Sequence, residues 1–286
     1  MNPVRNAVRT GARRGWFEFK QSLRSPQDQG FYVFMAVAIL GYLFMNRSNT
    51  VDFDEASFSY ITLALPGILA GLIAFGLVIG PGYALAMERE DGTLLRAKAV
   101  PYGIVGHISG HVVSNTLGLV PTFAIILLPA AFIFDNVMPQ GGSGWLTVLW
   151  VTILGILAML PLGLALGASV PSVQKMGTWG MLPFFGLIAI SGIFVPMQSL
   201  WAWVQVVAQF FPVYWLALGM RSAFLPEAFA AYEIGGSWRT AMTVAVLLAW
   251  AIVGLVVAPR LLRRMARRQS GSAVEAAKEQ ALQWVR

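Results

Sequence analysis

This sequence predicts an all-α integral membrane fold: six transmembrane helices, an N-terminal amphipathic interfacial helix, and an outer re-entrant helical hairpin between spans five and six. Three observations carry that prediction. Of 286 residues 57% are hydrophobic and only 12% charged, against about 25% charged in soluble domains, and the mean hydropathy is +0.67. Apolar runs able to cross a hydrocarbon core of about 30 Å, which takes roughly 20 helical residues, recur along the chain. The basic residues gather in alternate connections between those runs, as the positive-inside rule requires of a multi-pass protein.

The first element is a helix over 1–28. Arg9, Arg13, Lys20 and Arg24 recur at spacings of 4, 7 and 4, which gathers them on one arc, and Val4, Val8, Ala12, Phe19 and Leu23 fill the neighbouring arc. Such a helix lies at a lipid surface with its basic stripe toward anionic headgroups, and Pro26 ends it. A solvated basic arm that only sets topology is the plainer alternative. Arg13-Arg14 before Trp16-Phe17 resembles a twin-arginine export signal superficially, but no small-residue cleavage site follows.

Six spans are read near 31–47, 59–86, 104–133, 146–170, 177–196 and 240–260, forming a core over 31–260. The first is short, with Tyr32 and Tyr42 available as interfacial anchors. Under this topology 17 of the 20 Lys and Arg fall in the N-terminal arm, the 88–103 loop, the 171–177 loop and the tail over 261–286 together with Arg260 at its border. Only Arg47, Arg221 and Arg239 fall opposite, beside the acidic cluster Asp52, Asp54 and Glu55, which places both termini in the cytosol. The region 197–238 holds Trp201, Trp203, Phe210, Phe211, Tyr214 and Trp215, enough for a seventh span. Parity rejects it, and the breaks at Pro196 and Pro212 favour a hairpin that enters and leaves on the outer side. Arg260, Arg263, Arg264, Arg267 and Arg268 follow the last span as a headgroup anchor. Beyond them Val274, Ala277, Ala281 and Val285 have the spacing of a small terminal helix. No repeat or long linker divides the chain, so one membrane domain over 1–286 is expected.

Between the second and third spans lies the most charged stretch near the bilayer, running from Met87 to Lys98. Glu88, Arg89, Glu90, Gly92, Thr93, Leu94 and, nine residues past the glycine, Pro101 resemble the E-R-E-x-G-T-L…P signature of ABC-2-type permeases, the membrane subunits of type V ABC exporters such as drug and antibiotic efflux systems. A second likeness follows the fifth span, where Ser191, Gly192, Pro196, Pro212 and Arg221 resemble the family's S-G-x-x-x-P…P…R pattern. Trp201-Ala202 stands where that pattern has Pro-Gly, and Ala97 where the signature loop has leucine.

The resemblance implies a coupling helix between spans two and three that docks into a groove of a separate ATPase. Glu88 and Glu90, placed in its opening turn, would suit the positive end of the helix macrodipole. Arg89 would offer a planar fork to a carboxylate of the partner. Gly92 would permit close approach and Thr93 bond locally, Leu94 and Leu95 would supply an apolar face, and Pro101 would turn the chain into the third span. The basic helix with Arg9, Arg13, Lys20 and Arg24 would lean on the same partner.

Several chemistries are excluded or disfavoured. The chain has no cysteine, so thiol chemistry and disulfides are absent. No G-x-x-x-x-G-K-[ST] loop occurs, so ATP and magnesium are expected on a partner P-loop ATPase and no cofactor or metal on this chain. Ser109, Ser169 and Ser191 lack a nucleophile elbow and a base, leaving no catalytic site. Almost no ionisable residue lies at membrane depth, which removes the usual means of ion coupling. His107 and His111 share a helix face, but no acidic or cysteine third ligand is evident, so an interfacial polar pair is favoured over zinc.

By resemblance, then, the chain is expected in the plasma (inner) membrane of a prokaryote with two ATPase copies and a second or sister permease. Its cargo would be lipophilic, a drug, antibiotic or lipid, because the spans offer Phe, Met, Trp and Leu without fixed charge. Export of a polysaccharide or glycolipid is the alternative within the family, and a non-transporting membrane anchor or assembly factor the alternative outside it. The basic balance of +7 belongs to topology, not to nucleic acid.

Overall fold

A computed structural model describes residues 2–53 and 56–268. The N-terminal helix α1 (Pro3–Ser22) starts where the Asn2 side chain accepts from Val4 N and Pro3 takes the first helical position. It ends at Ser22, and Pro26 opens the next helix instead of closing this one: Ser25 caps α2 (Pro26–Met45) by accepting from Asp28 N. Helix α2 is loosely held, with Ala36 and Leu43 its buried residues, while Phe34, Val37 and Met45 are exposed.

Two four-residue strands, β1 (Thr50–Phe53) and β2 (Ala56–Ser59), pair antiparallel before the second span, a small addition to the all-α architecture. Thr50, Val51, Phe53 and Phe58 are strand formers, and the segment is too short and too interrupted by acids to continue a helix. Asp54 and Glu55 lie outside the described residues.

Helix α3 (Tyr60–Glu90) is the central post. Its 31 residues make about 46 Å of helix at 1.5 Å per residue, so its last turn projects past an apolar layer of about 30 Å. Sixteen of its residues are buried. A six-residue helix, α4 (Thr93–Lys98), leads into α5 (Gly103–Ile133) and α6 (Gly141–Ser169), which match the third and fourth spans, the latter starting five residues early. The pairing of α3 with α6 is glycine-mediated: a Cβ on Gly163 would overlap the carbonyls of Leu77 and Val78, and one on Gly167 would strike Gly82. Gly76 and Gly80 do not share this use. Their Cβ positions meet open space or only the end of Asn115.

The fifth crossing is broken. A short helix α7 (Val173–Lys175), a π-turn (Met176–Gly180) and α8 (Met181–Ala189) follow one another without a gap. Pro183 has no N–H to donate to the carbonyl four residues back and its ring crowds that carbonyl, and the wide turn just before it absorbs the conflict. The run begins beside Glu90, and the Ile193 carbonyl just past its end packs on Gly67. Those two marks on α3 are 23 residues apart, about 35 Å, so this segment traverses the bundle although none of its pieces is individually long enough to span. It starts and stops earlier than 177–196.

Helices α9 (Ala202–Phe210) and α10 (Pro212–Phe224) meet at a 92° bend at Phe211, with Pro212 in the first position of α10. Arg221, near the end of α10, donates to Gly192 O just ahead of α9, so the hairpin leaves at the level where it entered. Between these points Trp250 donates to Phe210 O, and Leu216 lies under Gly155, the midpoint of α6. The last helix, α11 (Thr240–Arg268), carries Arg260, Arg263, Arg264 and Arg267 at its end. Residues 269–286, with the apolar spacing noted from Val274 to Val285, lie outside the described residues.

The end of the bundle carrying α1, α4 and the arginines of α11 is the basic end, and the β-hairpin and the mouth of the α9–α10 hairpin, where Arg221 meets Gly192, occupy the far end. The core is one large cluster centred on α3, α6 and α10, with a satellite at the basic end formed by Leu85, Leu94, Leu164, Ala165, Ala258, Leu262 and Met265.

Candidate functional site

At the basic end α3 does not stop at the last apolar residue, because nothing before Gly92, at φ 79, breaks it. Glu88, Arg89 and Glu90 therefore occupy the last turn of α3 and not the opening turn of the short helix. Successive helical residues point about 100° apart, and these three reach three different elements.

Glu88 turns to α5, where its Oε2 lies 2.6 Å from His107 Nε2 and 3.0 Å from His111 Nε2. Arg89 turns to the C-terminus of α6: Nη1 donates to Val170 O and Nη2 to Gly167 O, both at 2.8 Å. A cation donating to the last carbonyls of a helix satisfies acceptors that have no partner within it. Glu90 Oε1 accepts Val173 N at 2.8 Å, supplying an acceptor at the start of the fifth crossing. The fork expected to face a partner's carboxylate is thus engaged within the chain.

The turn that follows is capped locally. Asp91 Oδ1 accepts Thr93 N at 2.7 Å, and Thr93 Oγ1 accepts from Arg96. Leu94 is 2% exposed, docked in the basic-end satellite core rather than offered outward. What α4 presents at its surface is Arg96 and Lys98, with Asp91 and Met87 before it and Val100, Pro101 and Tyr102 after it.

Helix α1 is clamped to this junction. Gly11 and Gly15 are its buried residues, and a Cβ on either would overlap the carbonyl of Gly106 or Gly110, so the backbones of α1 and α5 touch. Val4, Val8 and Leu23 stay exposed, as do Arg9, Arg13 and Arg24, while Lys20 stands over the rings of Trp16 and Phe17. Arg14 completes the clamp: Nη1 lies 2.8 Å from His107 Nδ1, and Nε donates to Glu18 at 2.6 Å.

A guanidinium cannot accept a hydrogen bond, so Nδ1 of His107 is the acceptor and its Nε2 carries the proton donated to Glu88. The structure thereby supplies the third group that the histidine pair lacked in sequence. Glu88, His107 and His111 bring ligand atoms within 4.8 Å of one another, a set able to hold a metal ion. Arg14 argues for the hydrogen-bonded form, because a metal would need the Nε2 lone pair that this tautomer has spent.

At the far end the second motif also closes on itself. Gly192, at φ 71, leaves its carbonyl to Arg221 at 2.9 Å, and the Ser191 hydroxyl donates to Leu187 O. Pro196 opens a 3-10 turn over Met197–Ser199, and Trp201, at φ −56 and ψ 144 where the pattern has proline, takes the position just before α9 without a side-chain capping bond. Arg221 pairs with Glu233 at 2.6 and 3.2 Å, both side chains 6% exposed. Glu233, Arg14 and Asp28 were missed from sequence. The signal for the first was a pair of acids, Glu227 and Glu233, following a lone arginine; Arg14 was marked only as half of the Arg13-Arg14 pair, and nothing local marked Asp28.

No curated protein matches the chain. The sequence model described as "ABC-2 type transporter" matches residues 12–225, three-quarters of the chain, from the middle of α1 through the re-entrant hairpin. The chain belongs to the ABC-2 type transporter family and is the permease subunit of an ABC transporter, which works with an ABC ATPase.

Proposed function

We propose that this chain is the membrane half of an ATP-driven exporter that moves a lipophilic small molecule outward. Two copies of a separate P-loop ATPase, holding ATP and magnesium, would power it, with a second permease copy completing the pore. The basic end then faces the cytoplasm of a prokaryotic cell, with both termini on that side.

The observation that carries this reading is the bracing of α4. Through Glu88, Arg89 and Glu90 the base of that short helix is tied to α5, α6 and the fifth crossing at once, and Leu94 packs it against α11. A push on α4 is therefore delivered to several crossings together. Glu88, Arg89, Glu90, Gly92, Thr93, Leu94 and Pro101 serve coupling as the frame, and the exposed Arg96, Lys98, Val100 and Tyr102 are the face that touches the ATPase. Beside that face a cleft of about 450 Å³, lined by Arg14, Val100, Tyr102 and the start of α1, gives a partner element a seat.

Co-purification tests the reading. The permease should retain an ATPase bearing a phosphate loop, and Arg96→Glu with Lys98→Glu should release it while the permease stays folded. Retention of the ATPase by that double variant sinks the assignment of the face.

A further inference from the structure

A cavity of about 590 Å³ opens among the end of α1, α2, α3 and α5, on the basic-end side of the bundle. Its size is that of a drug-sized ligand site. It exists because Gly76 of α3 faces open space and α2 packs only lightly on its neighbours. Along α3 the lining runs from Leu72 to Tyr83, about 16 Å of helix.

The chemistry of the wall is one-sided. Phe19, Phe31, Tyr32, Phe75 and Tyr83 give it aromatic faces, and no Lys, Arg or His lines it among the described residues. Asp28, in the first turn of α2, is the one acidic residue of the lining among the described residues. Its backbone N–H bonds Ser25, but no hydrogen bond or ion pair reaches its carboxylate among the described residues. A half-buried carboxylate without a partner, facing aromatic rings that attract cations, is a site that lacks its positive charge.

We propose that this cavity binds lipophilic cations, the charge at Asp28 and the apolar body along α3 and α5. Taking that occupant as cargo rests on the export reading; the binding itself does not. An anionic phospholipid is a poor occupant, since its phosphate would meet Asp28 with no basic residue to offset it.

The test is equilibrium binding to the purified full chain in detergent, with tetraphenylphosphonium as the cation and triphenylphosphine oxide as a neutral counterpart of similar shape. Saturable binding of the cation is expected. Asp28→Asn should weaken it at least about tenfold and change the neutral compound less than about twofold. Gly76→Leu, which fills space where nothing stands within 4 Å, should weaken both. Equal effects of Asp28→Asn on the two compounds, or unchanged binding in Gly76→Leu, overturn the proposal. ATP-driven transport of a neutral lipophile that ignores Asp28 would leave the export reading standing without this site. Asp28-dependent binding in a chain with no ATPase would do the reverse.

Discussion

Glu88 Oε2 lies 2.6 Å from His107 Nε2 and 3.0 Å from His111 Nε2, so one carboxylate at the end of α3 joins two successive turns of α5. Both histidines are buried, and removing their acceptor leaves polar hydrogens without a partner, at a cost of about 1–3 kcal/mol. Glu88→Gln keeps the shape but removes the charge that strengthens both hydrogen bonds and can turn its amide N–H groups toward the two donors. Thermal unfolding of the purified chain should show that loss, and His111→Ala on top of it should cost less than in the wild type. Wild-type melting of Glu88→Gln would mean the brace at the base of α4 is ornamental.

Arg89 tests the same brace from the α6 side. Its two terminal nitrogens reach Val170 O and Gly167 O, carbonyls three residues apart that one ammonium cannot span together. Arg89→Ala should cost about 2 kcal/mol, and Arg89→Lys should recover less than half. Amide exchange over residues 167–175 should accelerate in both variants. Full recovery by lysine would show that charge at the helix end matters and the fork does not.

The crossings were legible because apolar length and the distribution of arginines are properties of the sequence itself. The fifth was harder, since the π-turn ahead of Pro183 splits it into pieces that hydropathy reads as one run. The signature loop was legible as a motif, but its direction was not. Whether Glu88, Arg89 and Glu90 face a partner or their own chain depends on where α3 ends, and only the φ of 79 at Gly92 decides that. The partners of these charges, Arg14 and the α6 carbonyls, lie roughly eighty residues away in sequence, and no local pattern announces a contact at that range. The glycine seat of α1 was hidden for a related reason: its amphipathic pattern draws attention to Arg9 and Arg13, while the contact is made by two residues without side chains.

That seat gives a prediction. A side chain on Gly11 has no room against Gly106, so Gly11→Val must lift α1 away from α5. Destabilising the docked state by about 1.4 kcal/mol raises the open population about tenfold. Limited trypsin digestion at Arg9, Arg13 and Arg14 should speed up by at least that factor, whereas Gly30→Val, on α2 with nothing within 4 Å, should leave it unchanged. Equal cleavage rates in the two variants would show that α1 is not held by this contact.

The far end offers the most sensitive pair. Arg221 and Glu233 are each 6% exposed and joined at 2.6 Å, and Arg221 also holds Gly192 O across the mouth of the hairpin. Deleting one partner of such a pair leaves a buried charge unpaired, which typically costs about 3–5 kcal/mol. Arg221→Ala should therefore lower the melting temperature more than any single change at the basic end. Replacing both partners with apolar residues of similar volume removes the uncompensated charge, so Arg221→Met with Glu233→Leu should recover most of the loss, short of the bond to Gly192. If the double variant melts as low as Arg221→Ala alone, the hairpin is held by the Gly192 contact, and the ion pair contributes little to closing it.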